Sequence, residues 1–177
     1  GLVAPGMPGH RDVEMPAHDI EKARALLAEA GYPDGITLTL DCLNRTDRVA
    51  AAQIIQANLA EAGITVEIQP HDGGTCWSLG SEADGEQWKD IQLILNGYVS
   101  TPDPAAAQMW FTGDQAGLWN WERFSNPEYD ELMAASNSEM DEARRAAMFE
   151  RMQEIMYEEA AYVFITHDIA TVRAIAD

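Results

Sequence analysis

The sequence predicts an α/β fold, with a mixed but mostly parallel sheet flanked by helices. Residues 36–40 alternate apolar and polar side chains like a half-buried strand, and residues 64–68 form a second strand. Between them, the amphipathic pattern of residues 47–62 predicts a helix. Because strand, helix and strand follow in this order, the two strands are expected to pair in parallel through a crossover. Residues 91–96 carry a dense apolar run, which predicts a third, buried strand.

The elements around these strands follow from capping residues and breaks in the pattern. Residues 1–18 are expected to form an extended lead-in segment over the surface. Asp19 can cap a helix that continues to Ala30. After the second strand the periodicity weakens, so residues 69–89 are predicted to be a loop with a short helix near residues 75–79.

The last part of the chain is predicted to be mainly helical. A stretch rich in glycine and aromatic residues, 112–124, interrupts it. The predicted elements are, in order, a helix at 104–111, a helix at 126–135, the longest helix at 141–159, and strands at 162–166 and 169–172.

The composition is strongly acidic. The 177 residues include 30 acidic side chains against 11 lysines and arginines, which gives a formal net charge of −19. Nucleic-acid backbones and anionic lipids are bound by basic faces, so neither is an expected partner. No apolar run approaches the ~20 residues of a membrane span. The first 16 residues lack the charged start and apolar middle of a signal peptide.

Potential metal ligands and catalytic motifs are too sparse to predict a metal site, a cofactor or an enzyme. The two cysteines, Cys42 and Cys76, form no CxxC pair, and the four histidines are scattered. Cys42 ends the first strand and Cys76 follows the second, so a disulfide and two buried free thiols both remain open. The chain contains no GxSxG, HExxH, P-loop or GxGxxG motif.

The loop after the third strand holds the strongest candidates for ligand contact. Asn96-Gly97 ends the strand, and the residues beyond it lie where open α/β sheets bind ligands. Tyr98 is expected to face this crevice. Ser100 and Thr101 can supply hydroxyl groups either to a ligand or to nearby backbone groups.

Four further candidates lie downstream, and each has a structural alternative. Asp103 either contacts the ligand or caps the helix that begins at Pro104. Of Trp119 and Trp121, one is expected to pack while the other lines a rim. Asn120 either binds a ligand or fixes the conformation of its own loop.

Five segments in a fixed order carry a resemblance to a known family. They read AHDIEKARALLAEAGYPDGITLTL, QANLAEAGITVEIQ, DIQLILNGYVSTPDP, FSNPEYDELMAAS and DEARRAAMFERMQEIMYEEAAYVFIT. The order and content resemble the C-terminal lobe of family 5 extracellular solute-binding proteins, the peptide-, nickel- and opine-type components of ABC importers. Each segment alone is moderately specific, but five in order are strongly specific, and they cover nearly the whole chain.

This resemblance implies a lobe of a type II periplasmic-binding-protein fold. Residues 19–177 would form the single α/β lobe after the lead-in of residues 1–18, and the N-terminal lobe of the same protein would be missing. The implied function is capture of a small solute, an oligopeptide or related compound, in a cleft between two lobes. The implied partner is an ABC permease in the membrane, and the implied location is the periplasm or, with a lipid anchor, the cell surface.

The resemblance also bears on the ligand. Tyr98 stands where many members of the family have tryptophan, and residues 99–103 match the loop that faces the ligand in peptide binders. Several peptide binders place an aspartate there to pair with the free amino terminus of the peptide, whereas this chain has no acid before Asp103. The absence of this acid argues against recognition of a peptide through its free amino terminus. A carboxylate-dependent hydrolase and a non-transport peptide-holding or sensory protein of the same fold remain alternatives.

Overall fold

The computed structural model describes residues 2–12, 18–97 and 102–159. The chain divides into two compact units. Their described residues are 18–79 and 84–97 in the first, here called the sheet unit, and 2–12, 80–83 and 102–159 in the second, the helical unit. The strands predicted at 162–166 and 169–172 lie outside the described residues, and the single lobe over residues 19–177 stays a prediction.

The sheet unit is built on three parallel strands in the order β2-β1-β3. The strands are β1 (Ile36–Leu43), β2 (Ile64–His71) and β3 (Leu93–Leu95). Ile36 of the central strand pairs with Ile64 on one side, and Leu40 pairs with Leu93 on the other. The predicted α/β class and parallel pairing are therefore confirmed, and the strands that the structure describes in this sheet include no antiparallel one.

Three helices belong to the sheet unit. They are α1 (Ile20–Glu29), α2 (Thr46–Glu61) and α3 (Gly73–Ser78), with a 3-10 turn at Gln87–Asp90. A further 3-10 turn, Glu82–Asp84, has its first two residues in the helical unit and its last in the sheet unit. Asp19 caps α1 as predicted, because its carboxylate accepts the backbone N–H of Lys22 at 2.9 Å. Ala52 of α2 is fully buried against the sheet. The core around it contains Leu40, Cys42, Val66 and Leu95.

The helical unit contains the other three helices. They are α4 (Ala105–Gln108), α5 (Pro127–Ser136) and α6 (Glu142–Glu158), with 3-10 turns at Met109–Phe111 and Gly113–Gln115. The helix expected at 104–111 is thus a four-residue α-helix that tightens into a 3-10 turn. Asn126 and Asp141 cap α5 and α6 by accepting the backbone N–H groups of Tyr129 and Arg144. The core of the unit is formed by Phe111, Phe124, Tyr129, Met133, Phe149, Met152, Ile155 and Met156, with Ala105 beside them.

The start of the chain packs on α6 instead of running extended over the surface. Residues 2–12 contain two turns, and Val3 is 1% exposed. Gln153 of α6 holds this segment with its buried amide, whose Oε1 accepts the Val3 N–H and whose Nε2 donates to the Gly9 carbonyl. One buried side chain therefore satisfies two backbone groups of a segment that forms no helix or strand of its own.

Both cysteines are free thiols and both are buried. Burial raises the pKa of Cys42 and Cys76 above the usual range for thiols. Of the two alternatives left open by the sequence, the structure has the free thiols. Among the helices that the structure describes, none is long and apolar enough to cross a membrane.

Candidate functional site

The carboxyl ends of β1, β2 and β3 lie at one edge of the sheet, because the three strands are parallel. Asn96 and Gly97 follow β3 directly at this edge. Tyr98, Ser100 and Thr101 come next in the chain but lie outside the described residues. Their contact with a ligand stays a prediction.

Asp103 is held by two local partners in the helical unit. Its Oδ1 accepts the backbone N–H of Ala105 at 2.9 Å, and Arg145 donates through Nη2 to both carboxylate oxygens, at 2.9 and 3.1 Å. Arg145 is itself fixed, since its Nε donates to the Ser136 carbonyl and its guanidinium lies 4.9 Å from the centre of the Phe149 ring. These contacts favour the local structural role of Asp103 over ligand contact.

The same contacts predict a pH dependence of stability. The Ala105 N–H, and after it Arg145, hold the pKa of Asp103 below its usual range. A folded-state pKa below the unfolded value contributes stability that is present above the unfolded value, about 3.9, and is lost as the pH falls through the folded one. We expect Asp103→Asn to lower the free energy of unfolding by about 1 kcal/mol at pH 7, since half of the side chain is exposed to screening water.

The measurement is urea denaturation of wild type and Asp103→Asn between pH 7 and pH 2. The difference between the two proteins should shrink below pH 4, because the wild-type carboxyl then becomes neutral like the amide. A difference that stays constant over this range would contradict the ionic contribution.

The two tryptophans of the downstream candidates differ in burial. Trp121 is 5% exposed, and its indole N–H donates to the Leu118 carbonyl at 2.9 Å. Gly80 lies directly against its ring, where an added Cβ would stand 1.9 Å from Cγ. Trp119 is 42% exposed and meets the edge of Trp110 with ring centres 5.6 Å apart. Trp121 is therefore the packed residue of the pair, and Trp119 is the one that can offer a face to a ligand.

Asn120, between them, is completely buried and bonded to its own loop. Its Nδ2 donates to the carbonyls of Phe124 at 2.7 Å, Thr112 at 3.1 Å and Phe111 at 3.4 Å. Its Oδ1 accepts the Phe124 N–H at 3.0 Å. Both ends of the amide are thus occupied, which favours the loop-fixing alternative over ligand contact.

Sequence reasoning did not single out two polar features at the carboxyl edge of the sheet. The His71 Nε2 lies 2.7 Å from Oδ1 of Asp41, whose side chain is almost buried. The parallel register pairs Leu43 with His71, which puts Asp41 on the same face of the sheet, so the register is the signal that predicts this contact. The second feature is Arg48 in the first turn of α2, whose guanidinium lies beside Gly97.

A family model described as "Bacterial extracellular solute-binding proteins, family 5 Middle" matches residues 1–120. The matched range contains α1 to α3, all three strands, and the loop with Tyr98. It therefore covers most of the chain, with every described residue of the sheet unit and part of the helical unit.

Among curated proteins, the chain is similar to the glutathione-binding protein GsiB of Escherichia coli strain K12, with 26% identity over 174 residues. The alignment covers 92% of this chain and 33% of that protein. The protein of the same name from Pectobacterium atrosepticum is 28% identical over 155 residues, which cover 84% and 30% of the two chains. The chain spans about a third of the length of the curated relatives it matches.

Solved structures show the same fold. The periplasmic binding protein DppA from Helicobacter pylori, in complex with the peptide STSA, superimposes with a TM-score of 0.77 at 24% identity, covering 90% of this chain and 31% of that one. The dipeptide-binding protein from Pseudoalteromonas sp. SM9913, in complex with Met-Leu, gives 0.76 at 22% identity, covering 90% and 32%. The predicted type II periplasmic-binding-protein fold is confirmed by these superpositions.

Proposed function

Because the chain belongs to family 5 of the bacterial extracellular solute-binding proteins, we propose that it forms part of the solute-binding component of an ABC importer. The component captures a small solute, an oligopeptide or a related compound, in a cleft between two lobes. It then delivers the solute to a permease in the membrane. The observation that carries the proposal is the family match over residues 1–120, which includes the predicted ligand loop.

In this proposal the chain supplies one side of the cleft, and the N-terminal lobe of the complete protein supplies the other. Ligand binding then favours the closed arrangement of the lobes. The size of this shift is the difference between the binding free energies of the solute for the closed and for the open arrangement. The protein works in the periplasm or tethered to the cell surface by lipid. Its named relatives are binding proteins, which supports a binding role and not catalysis. Binding of this kind needs no cofactor.

Of the residues in this chain, Tyr98 is the one to which we assign most of the ligand contact, and Ser100, Thr101 and Trp119 are the further contacts. An aromatic ring offers a large apolar face to a peptide without needing a charge on the ligand. Asp103, Asn120 and Trp121 do not contact the ligand in this proposal. Their polar groups form hydrogen bonds that hold the local structure.

The test is Tyr98→Ala in the complete, two-lobed protein, titrated by calorimetry with glutathione and with a set of tripeptides. We expect the affinity for the probe that wild type binds to fall roughly ten-fold, because an aromatic anchor in a binding site is worth one or more kcal/mol. The thermal stability should be unchanged.

The matched control is Tyr32→Ala, which removes the same ring from the exposed turn after α1. It should bind like wild type. Equal affinities for wild type and Tyr98→Ala would remove Tyr98 from the site, and the absence of binding to every probe by wild type would contradict peptide capture itself.

A further inference from the structure

The loop that carries Trp119, residues 117–123, is held at both ends by one residue, Glu82. The backbone N–H of Glu82 donates to the carbonyl of Gly117 at 3.0 Å, at the first residue of this loop. The side chain of Glu82 reaches the last residue, because Nη1 of Arg123 donates to its Oε1 at 2.6 Å. Glu82 belongs to the helical unit, as the loop does. One residue from a separate stretch of the chain thus joins the two ends of the Trp119 loop.

The side chain of Glu82 fits against the loop because Gly117 has no side chain. Gly117 has a φ of +82°, which favours glycine, and an added Cβ would stand 2.7 Å from Cδ of Glu82. Glu82 therefore packs directly on the first residue of the loop and bonds to the last. The side chain of Arg123 is 29% exposed, so water screens this ion pair only in part.

Arg123 has a strained backbone conformation. Its φ is +55°, and among the residues that the structure describes it is the one non-glycine residue with a positive φ. This left-handed conformation is unfavourable for a residue with a Cβ, and it persists where surrounding contacts hold it. Two contacts do so here, since the Arg123 N–H donates to the Asn120 carbonyl at 3.3 Å and the guanidinium is bonded to Glu82. A glycine would adopt this φ without strain, so what the arginine adds at this position is its guanidinium.

The fixed ends of the loop determine how its two tryptophans are presented. Trp121 packs on Gly80, whereas Trp119 is 42% exposed and lies beside the edge of Trp110. Because the loop is short and both of its ends are held, few other backbone conformations are open to it. A side chain that is already held in its binding orientation loses less entropy when a ligand binds, and this increases the affinity.

We propose that Glu82 and Arg123 are positioning residues, which hold the Trp119 loop so that the indole of Trp119 is preorganised for the solute. This inference rests on the proposed function, and within it on Trp119 as a ligand contact. Without the ion pair, Arg123 can leave its strained conformation and the loop adopts further arrangements. The apparent affinity then falls in proportion to the fraction of molecules whose loop is in the binding arrangement. The ion pair thus affects binding without touching the solute.

The experiment measures affinity with and without Trp119 in the complete, two-lobed protein. Glutathione and the same set of tripeptides are titrated by calorimetry into wild type, Glu82→Gln, Trp119→Ala and the double variant. Glu82→Gln should lower the affinity for the probe that wild type binds about five- to ten-fold, if about a tenth to a fifth of the molecules keep the binding arrangement. Trp119→Ala should lower it about ten-fold. In the Trp119→Ala background, Glu82→Gln should have no further effect, because it acts through Trp119.

Arg123→Gly separates positioning from folding. It removes the guanidinium but relieves the backbone strain, so the ligand-free protein should keep a Tm close to that of wild type, while the affinity falls as in Glu82→Gln. A fluorotryptophan label reports on the loop itself through fluorine NMR, and the Trp119 resonance is assigned from its absence in Trp119→Phe. Without ligand, this resonance should be sharp in wild type and broadened or split in both Glu82→Gln and Arg123→Gly.

Glu86→Gln is the matched control, because it removes the same carboxylate from an exposed ion pair, with Lys89, in the sheet unit. It should bind like wild type. The inference is overturned if Glu82→Gln or Arg123→Gly binds like wild type, if the Trp119 resonance stays sharp in both, or if Glu86→Gln weakens binding as much. It is also overturned if Glu82→Gln weakens binding equally with and without Trp119.

Two further outcomes separate this inference from the proposed function. If Trp119→Ala binds like wild type, Trp119 is not a ligand contact and the inference fails, while solute capture by the protein stands. If wild type binds none of the probes, the proposed function fails, and the inference with it.

Discussion

Replacing Gly35 with alanine is expected to lower the free energy of unfolding by about 3 kcal/mol or more. Gly35 has a φ of +89°, and an added Cβ would stand 2.2 Å from the carbonyl oxygen of Gly63. That oxygen accepts the N–H of Ile36 at 3.2 Å, at the first residue pair of β1 and β2. The carbonyl can therefore move away from the methyl group only by disturbing the start of the sheet. Urea denaturation followed by circular dichroism measures the loss.

Gly31→Ala is the control that separates the clash from the strain of the backbone. Gly31 has a similar φ of +93°, but an added Cβ there would meet no atom within 4 Å. We expect it to cost only the strain of a left-handed conformation, about 1 kcal/mol. If both alanine variants lose the same stability, the close approach of Gly35 to Gly63 does not matter.

The parts of the fold that were predictable are those set by local sequence. The caps of α1, α5 and α6 occur at Asp19, Asn126 and Asp141, because a side-chain oxygen and a free backbone N–H three residues later are enough to make them. The strand–helix–strand order likewise depends on the periodicity of apolar side chains within each element.

The parts that were not predictable depend on partners distant in the chain. Nothing near β3 indicates that it begins only at Leu93, or that it pairs with β1 and not with β2. The packing of residues 2–12 on α6 depends on Gln153, which reaches Val3 across 150 positions. Arg48 and Gly97 meet for the same reason, because only the assembled sheet brings the start of α2 to the end of β3.

The candidate site shows the same division. The sequence identifies Trp119, Asn120 and Trp121 as side chains able either to pack or to bind, but the choice depends on what surrounds them. Gly80 lies against the ring of Trp121, and the carbonyl of Phe111 lies within reach of the Asn120 amide. When a residue type suits both packing and ligand binding, only such contacts decide which role it has.

Asn120→Asp should lower the free energy of unfolding by about 2–4 kcal/mol. The substitution keeps the shape of the side chain but replaces the Nδ2 donor with an oxygen. Three backbone carbonyls, those of Phe111, Thr112 and Phe124, then lose their shared donor and face a buried acceptor. The measurement is urea denaturation of protein freed of bound solute, so that ligand binding does not contribute to the difference.

Asn137→Asp adds the same negative charge at the exposed C-cap of α5 and serves as the control. It should cost less than about 1 kcal/mol, the effect of an acid near a helix C-terminus. The comparison decides the role of Asn120, because a residue that serves only the ligand would leave the ligand-free protein as stable as wild type. A large loss of stability in ligand-free Asn120→Asp would mean that the amide stabilises the loop that carries Trp119. Unchanged stability together with weakened ligand binding would mean that Asn120 contacts the ligand.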